Sequence, residues 1–189
     1  MMQFPLPMPE FTTPRLRLRR FTPADLDDCF EWASDEEVAR YVYWSAHKTK
    51  ADTQWFIDFC LNEYAEKGIG PWAVEHRESG KVIGNCSYGA IDITNRRIEL
   101  AYFFARPFWG KGIAVEAVTP LLKYGFEDLQ MNRIEARCMP ANLGSERVMQ
   151  KLGMQFEGIL REYMYSKGRF HTAKVYSRLA SEWLLRKAI

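Results

Sequence analysis

The chain has 189 residues, 47% apolar and 26% charged, with a net charge of +2; that suits one globular domain with a sizeable core and excludes a global electrostatic footprint for nucleic acid or an anionic membrane. Cysteines 29, 60, 86 and 138 form no C-x-x-C pair, and neither they nor histidines 47, 76 and 171 show zinc spacing, so no metal is expected. The start, MMQFPLPMPEFTTP, lacks the basic region of a signal peptide, and no stretch approaches ~18 uninterrupted apolar residues, so the expectation is a cytoplasmic protein with reduced thiols.

The first element is RLRLRRF, a strand whose arginines form one solvated face. Thr22-Pro23-Ala24-Asp25 then opens a helix: an N-cap hydroxyl, a proline at the first helical position and an acid at the third. That helix should turn Leu26, Cys29, Phe30 and Trp32 inward. A second helix signal covers Ser34 to Val42, and a third runs from Lys50 to Glu66 with Trp55, Phe56, Phe59 and Cys60 near helical spacing. The pattern then changes. PWAVEHRESGKVIGNCSYGAI reads as a hairpin turning at Ser79-Gly80. Arg97 to Phe104 contains ELAYFF, nearly continuous in apolar residues, and predicts a strand covered on both faces. A helix follows, with Pro120 inside it predicting a kink or break. Then come a strand over 133–139, a helix from Ser145 to Leu152, and two strands joined by Ser166-Lys167-Gly168-Arg169. The order is β-α-α-α-β-β-β-α-β-α-β-β, a mixed α/β fold with helices on both faces of the sheet. Residues 1–14 are expected to be a tail and 15–182 one domain.

The stretch FWGKGIAVEA lies between the aromatic strand and its helix. Glycine lets a ligand approach the backbone, and the first amides of a helix lack internal partners at the positive end of its dipole. A strand, a Gly-x-Gly turn and a helix together form an anion site suited to a phosphate or pyrophosphate. The Walker pattern fails because Gly112 follows Lys111, and the Rossmann pattern fails because Val115 stands at its sixth position. A tight β-to-α turn without a ligand remains the alternative on spacing alone.

W-G-K-G-I-A resembles the [QR]-x-x-G-x-[GA] pyrophosphate loop of the GNAT N-acetyltransferases, with Trp109 in its polar first position, as in the branch that contains the ribosomal-protein N-terminal-alanine acetyltransferases. The resemblance extends through RLRLRRFTPAD, IELAYFFARPFWGKGIAVEA and NRIEARCMPANLGSERVMQKLGMQFEGILRE. It implies a single-domain, mostly antiparallel sheet of about six to seven strands, splayed into a wedge that holds acetyl-CoA. Residue by residue, it implies pantetheine contacts at Phe103, Phe104 and Ala105, and pyrophosphate on the amides of Trp109, Gly110, Lys111, Gly112, Ile113 and Ala114. Asn142 matches a cofactor-contacting position and is equally placed to cap a helix. Ser145 stands where the family places a hydroxyl near the thioester sulfur, implying a general acid. Glu99 matches a strand glutamate beside the acceptor and implies either the base or a carboxylate that only orients the acceptor amine. A related base position corresponds to Met164, with Glu162 two residues earlier on the same side of a regular strand. Tyr163 is a second candidate acid, and Cys138 is more readily a buried structural thiol than an acetyl carrier.

The implied function is direct acetyl transfer from acetyl-CoA, without a metal, to a primary amine. A protein N-terminus is the first candidate acceptor. A small amine (polyamine, amino acid or antibiotic) and a non-catalytic CoA-binding module are the alternatives. No nucleic-acid or membrane partner is expected, and the chain reads as a monomer or homodimer.

Overall fold

The computed structural model describes residues 5–185. Eight strands form a mixed sheet: β1 (Phe11–Thr12), β2 (Leu16–Arg20), β3 (Trp72–His76), β4 (Val82–Asp92), β5 (Arg97–Phe104), β6 (Arg133–Cys138), β7 (Gln155–Ser166) and β8 (Arg169–Leu179), in the order β1-β2-β3-β4-β5-β6-β8-β7. Its helices are α1 (Leu26–Ala33), α2 (Glu36–Ala39), α3 (Lys50–Lys67), α4 (Ile113–Lys123), α5 (Leu143–Lys151) and α6 (Ala180–Leu185). The seven expected strands are all present, and the two-residue β1 raises the number to eight. The chain divides into two compact units, one reaching to Ser87 and including Tyr102–Ala117, the other made of Tyr88–Ala101 and the chain from Val118 onward.

In the first unit, alternation decides β2: Leu16 and Leu18 are fully buried while Arg17, on the other face, meets solvent. Arg19 is the exception on that face, forked onto Asp25 at 2.8 and 2.9 Å and bound to Glu75 at 2.7 Å. Asp25 also accepts the Thr22 amide at 2.8 Å, completing the helix start read from Thr22-Pro23. Of the residues expected inside α1, Cys29 and Trp32 are buried, whereas Leu26 and Phe30 are half-buried. On α3 the inward residues are Thr53, Ile57, Cys60 and Tyr64, while Trp55 is 71% exposed and stacks on Phe59, ring centres 6.1 Å apart. The expected tail is partly built in: Leu6 is buried and donates its amide to Lys67, and Pro9 accepts the Trp72 indole N–H. Residues 1–4 lie outside the described residues.

The second unit holds the pairing of β5 with β6, which is parallel, whereas β8 runs antiparallel to β6 and β7 to β8. β5 is not covered on both faces. Ile98, Leu100 and Phe104 are buried, but Glu99 and Phe103 are half-buried and Ala101 is exposed. Pro120 does not break α4, which runs unbroken to Lys123; the irregularity comes afterwards, as a π-turn over Tyr124–Asp128 closed by Leu129 N–H to Tyr124 C=O at 2.9 Å.

Burial by itself would raise the Asp25 carboxyl, but Arg19 and the Thr22 groups outweigh it, so its pKa lies below the usual Asp value. A lowered carboxylate contributes stability above its unfolded pKa, and that increment is lost as pH falls through the folded value. Asp25→Ala is therefore expected to cost about 3 kcal/mol near neutrality, the low end for breaking a buried ion pair because Glu75 still pairs Arg19. It should also flatten the acid side of the stability profile. Urea midpoints measured from about pH 2 to 7 at an unchanged m-value check both, because the unfolded Asp value is ~3.9 and the folded one lies below it.

Candidate active site

In the first unit, β5 ends at Phe104 and the chain turns through Arg106–Phe108 into Trp109-Gly110-Lys111-Gly112 before α4 begins. Gly110 and Gly112 take φ of 72° and 78°, the left-handed region where a side chain is strained. Space is open beside them: a Cβ on Gly110 would meet nothing within 4 Å, and one on Gly112 would meet only an Arg15 nitrogen at 3.7 Å. The first helical bond is Glu116 N–H to Gly112 C=O at 3.0 Å, so the Ile113 and Ala114 amides precede the helical ladder. Side chains hold this turn from both ends. The Trp109 indole donates to Phe104 C=O at 2.7 Å, and Arg15 donates to Lys111 C=O at 3.0 Å. Arg15 also binds Glu116 at 2.6 Å, and Glu116 accepts the Thr13 hydroxyl at 2.7 Å. The Lys111 ammonium is exposed, 5.9 Å from the Phe108 ring centre. The residues that fit a diphosphate are thus an open glycine turn and free-standing helix-start amides.

Phe103 packs between Trp32 (5.1 Å) and Trp44 (5.4 Å), half-exposed. Phe104 turns its ring into the core and its carbonyl to Trp109, and the Ala105 amide donates to Ile83 C=O at 2.7 Å. What Phe104 and Ala105 can offer a ligand is thereby narrowed to backbone groups these bonds leave over.

In the second unit, the β5–β6 register runs from Arg97↔Arg133 to Leu100↔Ala136 and stops there, although both strands continue. Glu99 stands on the open face of β5. Burial raises its carboxyl above the usual Glu value; Arg137, at 2.6 Å, pulls the other way and Glu135 adds to the rise. Asn142 is the N-cap of α5: its side-chain oxygen accepts the Ser145 amide at 3.1 Å. Ser145 sits half-buried in the first turn. Next to it, Glu146 accepts from Lys174 at 2.8 Å and from the Tyr176 hydroxyl at 2.6 Å, which fastens the start of α5 to β8. The Cys138 thiol is pushed up to about 11, chiefly by burial, and so is not a thiolate at neutral pH. Glu162 does not share a face with Met164 by simple alternation. A bulge separates Leu160 from Met164 and Glu162 has φ 50°, so the strand is irregular there.

Two groups that the sequence reading passed over are Arg137 and Glu135. Arg137 bridges Glu99 and Glu135 at 2.6 Å each and lies 4.8 Å from the Tyr163 ring centre. The signal for them was present in RIEARC, where Arg133, Glu135 and Arg137 fall at every second residue of a strand and so share a face.

Residues 15–155 match the family described as Acetyltransferase (GNAT) domain. Over 171 residues the chain is 35% identical to the uncharacterized N-acetyltransferase p20 of Bacillus licheniformis, covering 90% of this chain and 96% of that one. It is 27% identical over 84 residues to the [Ribosomal protein uS5]-alanine N-acetyltransferase of Escherichia coli, covering 44% and 43% of the two. The crystal structure of a GCN5-related N-acetyltransferase from Brucella melitensis superimposes with a TM-score of 0.83 at 27% identity, covering 98% of this chain and 86% of that one. The chain is therefore an acyltransferase of the GNAT N-acetyltransferase family.

Proposed function

We propose that the chain transfers the acetyl group of acetyl-CoA directly to the α-amine of a protein N-terminus. The observation that carries the chemistry is Glu99, a half-buried carboxylate on the open face of β5 whose proton affinity burial raises. A base works best with a pKa near the working pH. The acceptor class is supported by the ribosomal-protein relative and by the N-R-I-E-A-R…N-x-x-S run shared with that branch.

When bound, acetyl-CoA supplies the thioester. Its pyrophosphate is assigned to the Gly110-Lys111-Gly112 turn and the Ile113 and Ala114 amides, with the Trp109 backbone and the Lys111 ammonium beside them. The pantetheine arm is assigned to the backbone of Phe103–Ala105. Asn142 acts by capping α5 and thereby setting where Ser145 sits. Glu99 takes the proton from the attacking amine. As the new C–N bond forms and the C–S bond breaks, the Ser145 hydroxyl donates a proton to the departing sulfur and is reprotonated from solvent. With its thiol proton held tightly, Cys138 is left out of the transfer. Incubation with acetyl-CoA and a panel of Ala-, Ser- and Met-initiated peptides, polyamines and amino acids, followed by free-thiol release and peptide mass, tests the acceptor class. Turnover on amines alone would overturn the N-terminal reading.

Gly112→Glu places bulk and negative charge where the diphosphate belongs, and Gly112→Ala adds only the backbone strain of φ 78°. Calorimetry is expected to show CoA binding abolished in the first and kept in the second, both folded. For Ser145→Ala, kcat should fall about 10²-fold while acceptor KM stays put. CoA affinity should change by under ~1 kcal/mol, about one net hydrogen bond. Single-turnover rates isolate the chemical step for that comparison.

A further inference from the structure

The charged groups of the second unit form a row across one face of its strands. Glu99 on β5 and Glu135 on β6 are register partners in the parallel pair, and Glu135 and Ser177 are partners across β6 and β8. Along the row, Arg137 bonds Glu99 and Glu135 at 2.6 Å each, Arg133 bonds Glu135 at 2.9 Å and Glu157 at 2.6 Å, and Ser177 donates to Glu157 at 2.6 Å. Carboxylates and guanidiniums alternate, with three of the first and two of the second. The outermost carboxylate at the β5 end is Glu99. It shares its single guanidinium with Glu135, whose side chain is only 6% exposed against 26% for Glu99.

We infer that Arg137 is a positioning residue for acetyl transfer: it fixes the direction and charge state of the Glu99 carboxylate, and Glu135 sets how much of Arg137 is available to do so. The inference rests on Glu99 being the base. Three observations support it. The planar guanidinium fork bridges two carboxylates that would otherwise repel across adjacent strands, which a lysine point charge does less well. The Tyr163 ring, 4.8 Å from the guanidinium carbon, limits rotation of that plane. Finally, the groups facing Glu99 pull in opposite senses: Arg137 and Glu135 come from β6 and Arg97 from β5 itself, while Gly89 of β4 lies beside the Glu99 backbone. Arg137 favours the ionised base and Glu135 disfavours it.

Opposite neighbours predict opposite shifts. Arg137→Gln removes the attraction, so Glu99 should hold its proton to higher pH and the acid limb of kcat/KM for the acceptor should move up by about one pH unit. Glu135→Gln removes the repulsion and leaves Arg137 to Glu99 alone, so the limb should move down. Arg137→Lys should keep most of the limb position but lose about tenfold in kcat through poorer orientation (acid–base groups contribute ~10²–10⁴-fold in full). Carbon-13 carboxyl NMR of the protein without CoA, with the Glu99 signal assigned by Glu99→Gln, follows the same titration without turnover. Shifts of opposite sign in both readouts support the inference. A Glu99 titration unmoved by Arg137→Gln, or moved the same way by both variants, overturns it and leaves the base reading standing. A titration that moves while the acid limb does not overturns the base reading itself.

Discussion

The constraint on which the site depends is the parallel pairing of β5 with β6 amid antiparallel neighbours. Antiparallel neighbours can be joined by a tight turn, but parallel ones require the chain to cross back over the sheet, usually through a helix. Here that crossover is α4 with its π-turn, and its first turn must start where β5 ends. Phe104 to Ile113 therefore spans a strand's carboxyl end and a helix's amino end, the place where open amides gather and where α/β proteins bind anions. Gly110 and Gly112 supply the left-handed φ values that this turn takes. The loop is then braced by Arg15–Glu116 and by the Trp109 indole.

The second consequence of the parallel pair is electrostatic. Pairing in register sets Glu99 beside Glu135, two carboxylates on adjacent strands. Like charges on adjacent strands repel. The alternation of Arg133, Glu135 and Arg137 along β6 resolves the repulsion by placing a guanidinium on either side of Glu135. Buried pairs of this kind are weak sources of net stability because desolvation offsets their attraction. Their value here is directional: guanidiniums hold both oxygens of Glu135, and Arg137 holds one oxygen of Glu99.

Much of this was legible from local chemistry. Thr22-Pro23-Ala24-Asp25, Lys50–Lys67, β5 and the Gly-x-Gly turn are written in short-range signals: caps, a proline, an aromatic run, two glycines. The errors have a common physical origin, which is that burial is decided by neighbours distant in sequence. ELAYFF is apolar enough for a doubly covered strand, yet Glu99, Ala101 and Phe103 lie on a face left partly open. Trp55 and Phe59 have helical spacing but sit on the outer side of α3, because Ile57, Cys60 and Tyr64 already fill the inner one. Pro120 leaves α4 unbroken, and the bulge at Glu162 cancels an alternation argument that only a regular strand would support. β1 is too short to show any period. Arg137 was visible as a charge on a strand, but its meaning depends on Glu99, 38 residues away.

The assignment of a carboxylate as base also follows from what the other titratable groups are doing. Imidazole is the usual proton acceptor near neutrality, but each of the three histidines is tied up elsewhere. Nδ1 of His47 contacts the Thr53 hydroxyl at 2.9 Å, Nδ1 of His76 contacts Ser79 at 3.1 Å, and Nε2 of buried His171 contacts the Ser166 carbonyl at 3.0 Å. Burial lowers the His47 pKa further. The cysteines are buried and hold their protons tightly. An amine nucleophile must still lose a proton. One way to obtain a base active near neutrality is to raise a carboxylate by burial while a nearby cation keeps it oriented and ionisable. In the proposed mechanism Glu99 is that carboxylate, raised by burial and sharing its Arg137 guanidinium with Glu135. Arg137 favours the ionised form of Glu99 while burial and Glu135 oppose it, so the proposed base rests on a balance of neighbours and not on any one of them.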